Sequence, residues 1–184
     1  MNVAEAVSTR RSGTRITGPA PTDAELADLV SLAGTAPDHG RLSPWRLVVL
    51  RGEDREALGR AMAEFQQDQD RERVISKALR APLLLTIVFS PTERPKVPRW
   101  EQQAATVCAV QTLILLLHER GWSSIWRTGA FTEAPAVRDL FGTGPKEQLL
   151  GWLYIGSQDE PRAAPRREID GSAKLVRPRW AKQS

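Results

Sequence analysis

An arginine-rich segment near the N-terminus has the composition of a phosphate-binding site. Arg10, Arg11 and Arg15 surround Ser12 and Gly13 in the run Arg-Arg-Ser-Gly-Thr-Arg. Guanidinium groups hold phosphate through charge-assisted, bidentate hydrogen bonds, and a serine hydroxyl adds a neutral donor. The alternative is that these cations follow the end of a short helix, complement its dipole and stay solvated. The spacing favours neither interpretation over the other.

A polar loop lies between a predicted helix and the first predicted strand. It runs from Pro37 to Trp45 and carries His39. Loops at the edges of strands commonly hold ligands, and an imidazole can donate a hydrogen bond to a phosphate or to a hydroxyl. The simpler alternative is a loop histidine that bonds to nearby backbone.

A third segment brings an aromatic ring, a cation, a hydroxyl and a glycine together. Trp126, Arg127, Thr128 and Gly129 follow one another at the end of a predicted strand. Such a set could flank a planar cofactor, because glycine lets the backbone approach a ligand closely. The alternative, favoured by the segment alone, is a core tryptophan beside a surface arginine.

Several chemistries have no sequence signal in this chain. There is no phosphate-binding P-loop, no dinucleotide-binding glycine motif, no His-Glu-x-x-His zinc motif and no nucleophile elbow. The chain has a single cysteine, Cys108, which we expect to pack in the core, and two histidines, His39 and His118. We expect His118 to cap the long helix in which it lies. With so few candidates for a catalytic triad or a zinc site, an enzyme of this sequence would depend on a bound cofactor.

The charge of the chain is concentrated at its C-terminal end. The net charge of the 184 residues is +4, yet residues 162–184 alone carry +5 and residues 1–161 carry −1. We therefore expect a single domain over residues 1–160 and a basic extension over 161–184. Nucleic-acid binding through this extension is the last-ranked alternative and predicts steep salt dependence. No secretory signal or apolar span of about 20 residues is evident, so we expect a cytoplasmic protein without a membrane or a metal.

The elements that must position these residues follow from hydrophobic periodicity. Thr22 and Glu25 form a capping box that starts a helix ending near Gly34. The predicted helices are 2–9, 22–34, 54–79 in two pieces with Leu58, Met62 and Phe65 in the core, 99–120 and 134–141, and the predicted strands are 46–50, 83–89, 123–126 and 149–155. We expect strands 46–50 and 83–89 to be central, and the order of elements favours an α+β sheet covered by helices.

The predicted helix over residues 99–120 is apolar on nearly every side. Such a helix needs cover all around. In a domain of this size the last face is commonly covered by a second subunit, which favours a homodimer.

Taken together, these segments resemble the nitroreductase family, in particular its small, single-domain members. The resemblance extends over nearly the whole chain. It rests on Arg10-Arg11-Ser12, Pro37-Asp38-His39 with Pro44-Trp45, the stretch from Lys96 to Gln102, Ile125-Trp126-Arg127 with Gly129-Ala130, and Leu153-Tyr154-Ile155-Gly156. It implies a nitroreductase-like α+β fold with a central, mostly antiparallel sheet, and an intertwined homodimer with FMN in two pockets between the subunits.

The resemblance also implies which residues bind cofactors. The implied FMN-binding residues are Arg10, Arg11, Ser12, Thr35, His39, Trp126, Arg127 and Thr128, and the implied NAD(P)-binding residues are Leu116, Leu117, His118, Glu119, Arg120 and Gly121. Some small members of the family carry an arginine where this chain has Thr35, which removes one possible phosphate ligand.

The activity implied is a two-step, ping-pong oxidoreduction. Hydride passes from NAD(P)H to flavin N5 and then to a small oxidised acceptor such as a nitroaromatic, a quinone or an activated alkene. The flavin carries the chemistry, so no catalytic acid or base side chain is expected. The alternative from another class is a flavin-binding or redox-sensing protein with negligible turnover.

Overall fold

The structure is a computed structural model that describes residues 1–65, 70–94, 96–157 and 169–177. Its helices are α1 (Val3–Thr9), α2 (Asp23–Ala33), α3 (Gly52–Phe65), α4 (Arg71–Ala78), α5 (Arg99–Glu119) and α6 (Pro135–Leu140), and its strands are β1 (Trp45–Leu50), β2 (Leu83–Phe89), β3 (Ser123–Arg127) and β4 (Gln148–Gly156). Short 3-10 turns occupy Ala130–Glu133 and Ser172–Lys174. Most of the predicted basic extension lies outside the described residues, and its described part, 169–177, is exposed.

The local signals in the sequence place most helix ends correctly. The capping box of α2 is confirmed, because the Glu25 amide donates to the Thr22 hydroxyl and the Thr22 amide donates to the Glu25 carboxylate. The division of the predicted 54–79 helix into two pieces is also confirmed by α3 and α4. Leu58 and Met62 are buried as expected, but the prediction for Phe65 is wrong. Phe65 ends α3 partly exposed and meets only the edge of the Phe131 ring.

The four strands form one antiparallel sheet in the order β1-β2-β4-β3. This confirms the predicted α+β class and the predicted antiparallel sheet. Every residue of β2 is buried, as its continuous apolar run indicates. The prediction that β1 is central is wrong, because β1 pairs only with β2 and lies at an edge. A short apolar run does not distinguish an edge strand with one buried face from a central strand.

Helices cover both faces of the sheet and give two apolar clusters. Helices α3, α4 and α6 contribute to the first cluster, together with Leu84, Val88, Trp152 and Tyr154 from the strands. Helices α2 and α5 contribute to the second, together with Leu85 from β2. The sheet therefore separates two apolar clusters, and alternate residues of each strand face opposite sides.

Helix α5 is buried on the side that faces α2 and the sheet, but not all around. Ala109 and Leu113 are buried, whereas Trp100, Val107 and Cys108 are exposed. The prediction that Cys108 packs in the core is therefore wrong, because it lies on the face that the described residues leave uncovered. None of the helices in the described ranges combines the length and the apolar character needed to span a membrane.

A bidentate ion pair fixes the connection between α6 and β4 against β1. Arg46 donates to both carboxylate oxygens of Glu147, with nitrogen–oxygen distances of 3.0 and 2.9 Å. The Ser90 hydroxyl and the Gly144 amide donate to the same carboxylate. The hydrogen bond from Arg46, with those from Ser90 and Gly144, lowers the pKa of Glu147 to about 2.

We predict that Glu147→Gln destabilises the fold and changes its dependence on pH. The substitution should lower the free energy of unfolding by about 2 kcal/mol at neutral pH, because it removes a hydrogen-bonded charge pair. The folded pKa of the carboxyl is depressed from 4.5 to about 2, so the stabilisation is full above pH 4.5 and is lost as pH falls towards 2. Urea unfolding of wild type and variant from pH 7 to pH 3 measures this.

The matched control is Glu56→Gln, which opens an exposed pair between Glu56 and Arg60. It should change the free energy of unfolding by about 0.5 kcal/mol or less. A Glu147→Gln deficit that is equally large at pH 3 and at pH 7 would contradict the assignment of the stabilisation to the ionised carboxylate.

Candidate functional site

The predicted phosphate segment lies in a cleft formed by the ends of α1 and α5 and the start of β3. The cleft has a volume of about 300 Å³. Arg10, Arg11 and Ser12 line it together with His118 and Gly121. The structure thus brings three predicted FMN residues together with two residues of the predicted NAD(P) stretch.

Close backbone contact fixes the phosphate segment beside β3. Ser12 forms an isolated parallel bridge with Ser124, and the Gly13 amide donates to the Ser124 carbonyl at 3.0 Å. A Cβ atom on Gly13 would overlap the side chain of Ser123. A larger residue at position 13 would force the side chains of Ser123 and Ile16 to shift, and the segment is held by the sheet edge.

The geometry of Arg11 matches the simpler interpretation of the arginine cluster. Its Nη1 donates to the carbonyls of Ser8 at 2.8 Å and of Arg10 at 3.0 Å. These carbonyls belong to the C-terminal end of α1, where a cation complements the helix dipole. Arg11 therefore caps α1 in this structure while it also lines the cleft.

His118 connects α5 to α1. The prediction that it caps its own helix is wrong. Its Nε2 lies 2.8 Å from the Thr9 hydroxyl, and that hydroxyl donates its hydrogen to the Glu5 carbonyl at 2.7 Å. The hydroxyl therefore accepts from His118, which places a proton on Nε2. Burial lowers the pKa of His118, and the charges of Arg10 and Arg11 lower it further. At neutral pH His118 is therefore a neutral imidazole with its proton on Nε2.

The remaining residues of the predicted NAD(P) stretch have different surroundings. Leu117 is fully buried in the core, and Leu116 packs against the same cluster. Glu119 and Arg120 are exposed and pair with each other at 3.1 Å.

A second cleft, of about 250 Å³, lies on the side of the sheet covered by α3 and α4. Arg127 and Thr128 line it together with two residues that the sequence analysis missed, Lys77 and Arg80. The rest of its lining is Met62, Phe131, Trp152 and Tyr154. The sequence signal was a pair of cations just before β2, but only the fold brings them to Arg127.

Aromatic contacts and buried polar atoms define the interior of this second cleft. Arg127 lies over the Tyr154 ring, with its Cζ 5.7 Å from the ring centroid, and the Tyr154 hydroxyl donates to the Lys77 carbonyl at 3.0 Å. Burial raises the pKa of Tyr154, against the opposing charges of Arg127 and Arg80. Among the described residues, the buried Nε of Arg127 and Nε1 of Trp152 have no hydrogen-bond partner.

Trp126 faces the opposite side of the sheet from Arg127, because adjacent strand residues alternate. It packs against the cluster formed by α2 and α5, and its Nε1 donates to the Leu150 carbonyl at 2.8 Å. The predicted Trp126–Arg127–Thr128 set is therefore divided between the two sides of the sheet.

Thr35 and His39 lie at the other end of α5 from the phosphate segment. The Thr35 hydroxyl donates to the Leu32 carbonyl at 2.8 Å, at the end of α2. His39 Nδ1 lies 2.6 Å from a carboxylate oxygen of Glu101, in the first turn of α5. At 1.5 Å per residue, Glu101 and His118 are about 25 Å apart along the helix. A single chain therefore does not bring His39 to Arg10.

Comparison with known proteins finds similar proteins over most of the chain. Residues 7–157 match the profile of a family described as the nitroreductase family. The chain is 36% identical over 162 residues to a protein of Escherichia coli K12 named "Putative NAD(P)H nitroreductase YdjA", which covers 85% of this chain and 88% of the relative. A Haemophilus influenzae protein named "Putative NAD(P)H nitroreductase" is 30% identical over 177 residues, covering 92% and 96%.

Solved structures show the same fold. A nitroreductase-like family protein from Bacillus cereus superposes with a TM-score of 0.81 at 27% identity, covering 96% of this chain and 95% of the other. The FMN and NADPH-dependent nitroreductase NfnB from Sphigopyxis sp. strain HMH gives a TM-score of 0.74 at 22% identity, covering 98% and 100%. An iodotyrosine deiodinase bound to FMN gives 0.70 at 21% identity, covering 98% and 100%.

We predict that Gly151→Ala disrupts the second cleft. Gly151 has a φ of +105°, and an added Cβ would overlap the Arg127 carbonyl oxygen across the β3–β4 ladder. The substitution should cost about 2 kcal/mol or more in the free energy of unfolding, because it adds both backbone strain and a clash. Urea unfolding and amide hydrogen exchange of β3 measure the two effects.

The control is Gly171→Ala, where an added Cβ meets nothing within 4 Å. It should leave both measurements near the wild-type values. Unchanged stability and unchanged β3 protection in Gly151→Ala would show that the close approach at Arg127 does not constrain this edge.

Proposed function

The chain belongs to the nitroreductase family, and we propose that it is an FMN-dependent oxidoreductase that passes hydride from NAD(P)H to a small oxidised acceptor by a ping-pong mechanism. Nitroaromatics, quinones and activated alkenes are the acceptor classes proposed. The observation that carries the proposal is the position of two cationic clefts along β3. Ser12 pairs with Ser124, and Arg127 follows three residues later, about 10 Å along the strand. Because β3 is an edge strand, a phosphorylated ribityl chain could pass around this edge of the sheet from one cleft to the other.

The residues present fit FMN in charge and shape. The cleft at Arg10 and Ser12 offers a guanidinium and a hydroxyl, which are donors suited to a phosphate. The second cleft offers aromatic rings and the cations of Lys77 and Arg127. The buried Arg127 Nε, without a partner in the described chain, is a donor that a bound ligand could satisfy. The names of NfnB and of the FMN-bound deiodinase support the same cofactor.

In this proposal the protein binds and orients FMN, and the cofactor carries out the redox reaction. Bound FMN supplies hydride transfer between the nicotinamide donor and the acceptor. Arg10 and Ser12 would fix the phosphate end. Lys77 and Arg127 would place positive charge where negative charge develops during reduction, and this would stabilise that negative charge. His118 and Gly121, beside the phosphate segment, are proposed contacts of NAD(P)H.

We also propose a homodimer, because the two halves of the predicted site lie at opposite ends of α5. The exposed apolar face around Val107 and Cys108 lies midway between Glu101 and His118. A two-fold axis through that face would make the two α5 helices antiparallel. The start of α5 in one protomer, beside His39, would then lie close to the end of α5 in its partner, beside His118. The same contact would cover the apolar face, which is a typical interface feature.

We predict that purified protein is yellow, binds FMN and oxidises NADH or NADPH in the presence of an acceptor. Arg10→Ala should weaken FMN binding by about 10- to 100-fold, because it removes a charge-assisted bond to phosphate, and should leave riboflavin binding unchanged. Flavin fluorescence titration gives both dissociation constants. Arg60→Ala, which opens the exposed pair to Glu56, is the control and should change neither.

Two outcomes separate the alternatives. A colourless protein that ignores added FMN would refute the proposal. A yellow protein that oxidises no NAD(P)H with any acceptor class would favour the flavin-binding or redox-sensing function with negligible turnover.

We predict that the exposed face of α5 forms the subunit interface. Val107→Glu should convert a dimer to a monomer with weakened FMN binding, because it places a charge in an apolar contact. Leu140→Glu on α6 is the matched control, since Leu140 is 42% exposed and Val107 is 41% exposed. Light scattering gives the mass, and thiol labelling of Cys108 should be slow in wild type and fast in Val107→Glu. A wild-type mass of 20.4 kDa with rapid labelling would contradict the dimer.

A further inference from the structure

The loop from Pro37 to Pro44 is held in a defined conformation by hydrogen bonds within the single chain. Arg41 and Ser43 have φ values of +53° and +43°, which non-glycine residues adopt only where the surroundings impose them. Asp38 imposes them here, because its carbonyl accepts from the Arg41 amide at 3.1 Å and its carboxylate accepts from the Ser43 amide at 2.6 Å. Strained, well-anchored loops of this kind cluster at ligand sites.

The base of the loop is tied to both neighbouring elements. The Pro44 carbonyl accepts from the Ser90 amide at 2.8 Å and from the buried Thr106 hydroxyl at 3.3 Å. These contacts hold the base but do not reach His39, which lies nearer the tip. His39 is held only by Glu101 among the described residues.

The contact with Glu101 determines the chemistry of the imidazole. A carboxylate only accepts hydrogen bonds, so His39 Nδ1, 2.6 Å from the Glu101 oxygen, must carry a hydrogen. Within the described parts of the chain, His39 Nε2 bonds to nothing. In the neutral imidazole Nε2 is then an acceptor without a partner in the described chain, on a side chain that is 62% exposed.

We infer that Glu101 is a positioning residue that holds His39 with its proton on Nδ1, so that Nε2 accepts a hydrogen from a hydroxyl of the ribityl chain. The inference rests on the proposed function and goes beyond it by assigning a role to Glu101 and a direction to the His39 hydrogen bond. It differs from the sequence-based expectation, in which the His39 imidazole donates a hydrogen bond to a phosphate or to a hydroxyl.

The carboxylates next to His39 favour a hydroxyl partner over a phosphate. Asp38 and Glu101 flank His39 with carboxylates, and the buried Oδ1 of Asp38 has no hydrogen-bond partner among the described residues. Two nearby negative charges disfavour a phosphate dianion. The phosphate is instead served by Arg10 and Ser12 in the first cleft.

The binding experiment compares FMN with riboflavin, which has the same ribityl hydroxyls but no phosphate. Glu101→Ala should weaken both flavins equally, by about ten-fold, because the acceptor loses its fixed orientation. Glu101→Gln keeps an acceptor oxygen and should lie between wild type and Glu101→Ala. Adding Glu101→Ala to His39→Ala should cause no further loss, because the two residues act as a unit. Glu56→Ala is the control. It removes an exposed ion pair and should leave both flavin affinities unchanged.

A second measurement needs no flavin. The chain has two histidines, so imidazole ¹H–¹⁵N correlation spectra are assigned with His39→Gln and His118→Gln variants. In wild type the neutral His39 should be protonated on Nδ1, and in Glu101→Ala the proton should redistribute towards Nε2. The same spectra report His118 as an internal reference that Glu101→Ala leaves unchanged.

The outcomes distinguish this inference from the proposed function. Failure of the wild type to bind any flavin would refute the proposed function, while the tautomer shift would still test the His39–Glu101 contact. Flavin binding by wild type with unchanged affinity in Glu101→Ala would overturn the inference alone. A loss confined to FMN, with riboflavin unaffected, would also overturn it, because the partner of His39 would then be the phosphate.

Discussion

Burial of α5 is the constraint on which the rest of the structure depends. The helix packs one side on α2 and the sheet and leaves Val107 and Cys108 on an open face. Its two ends hold different halves of the candidate site, with Glu101 beside His39 and His118 beside Thr9. In the proposed homodimer, covering the open face and completing the site would be the same structural requirement. A short chain without catalytic triads or metal motifs could then build a large cofactor site from two copies of itself.

The sheet places neighbouring side chains of one strand on its two opposite sides. Trp126 turns towards α5, whereas Arg127 turns towards α4 and joins Lys77 and Arg80. The glycine at 151 lets β4 pass close to the Arg127 carbonyl at this point. Neighbouring residues of one motif can thus serve two environments, one in the core and one in a cationic cleft.

Local signals in the sequence predict much of this architecture. The Thr22–Glu25 capping box and the buried run of β2 depend on neighbouring residues, and both are confirmed. Features that depend on residues distant in the sequence are harder to predict from it. The edge position of β1 and the exposure of Cys108 follow from what packs beside them, which periodicity does not contain. The cations Lys77 and Arg80 are absent from the predicted site for the same reason, because their partner lies fifty residues away in β3.

Arg11 links the candidate ligand site to the stability of a helix. Its Nη1 already satisfies two carbonyls at the end of α1. Any anion that draws this group into the cleft must leave those carbonyls to water, so the last turn of α1 loosens as the anion binds. Thermodynamic linkage makes the effect reciprocal, since a change that stabilises the turn weakens the hold of Arg11 on the anion. The carbonyls at the end of α1 and a bound anion therefore compete for the Arg11 guanidinium.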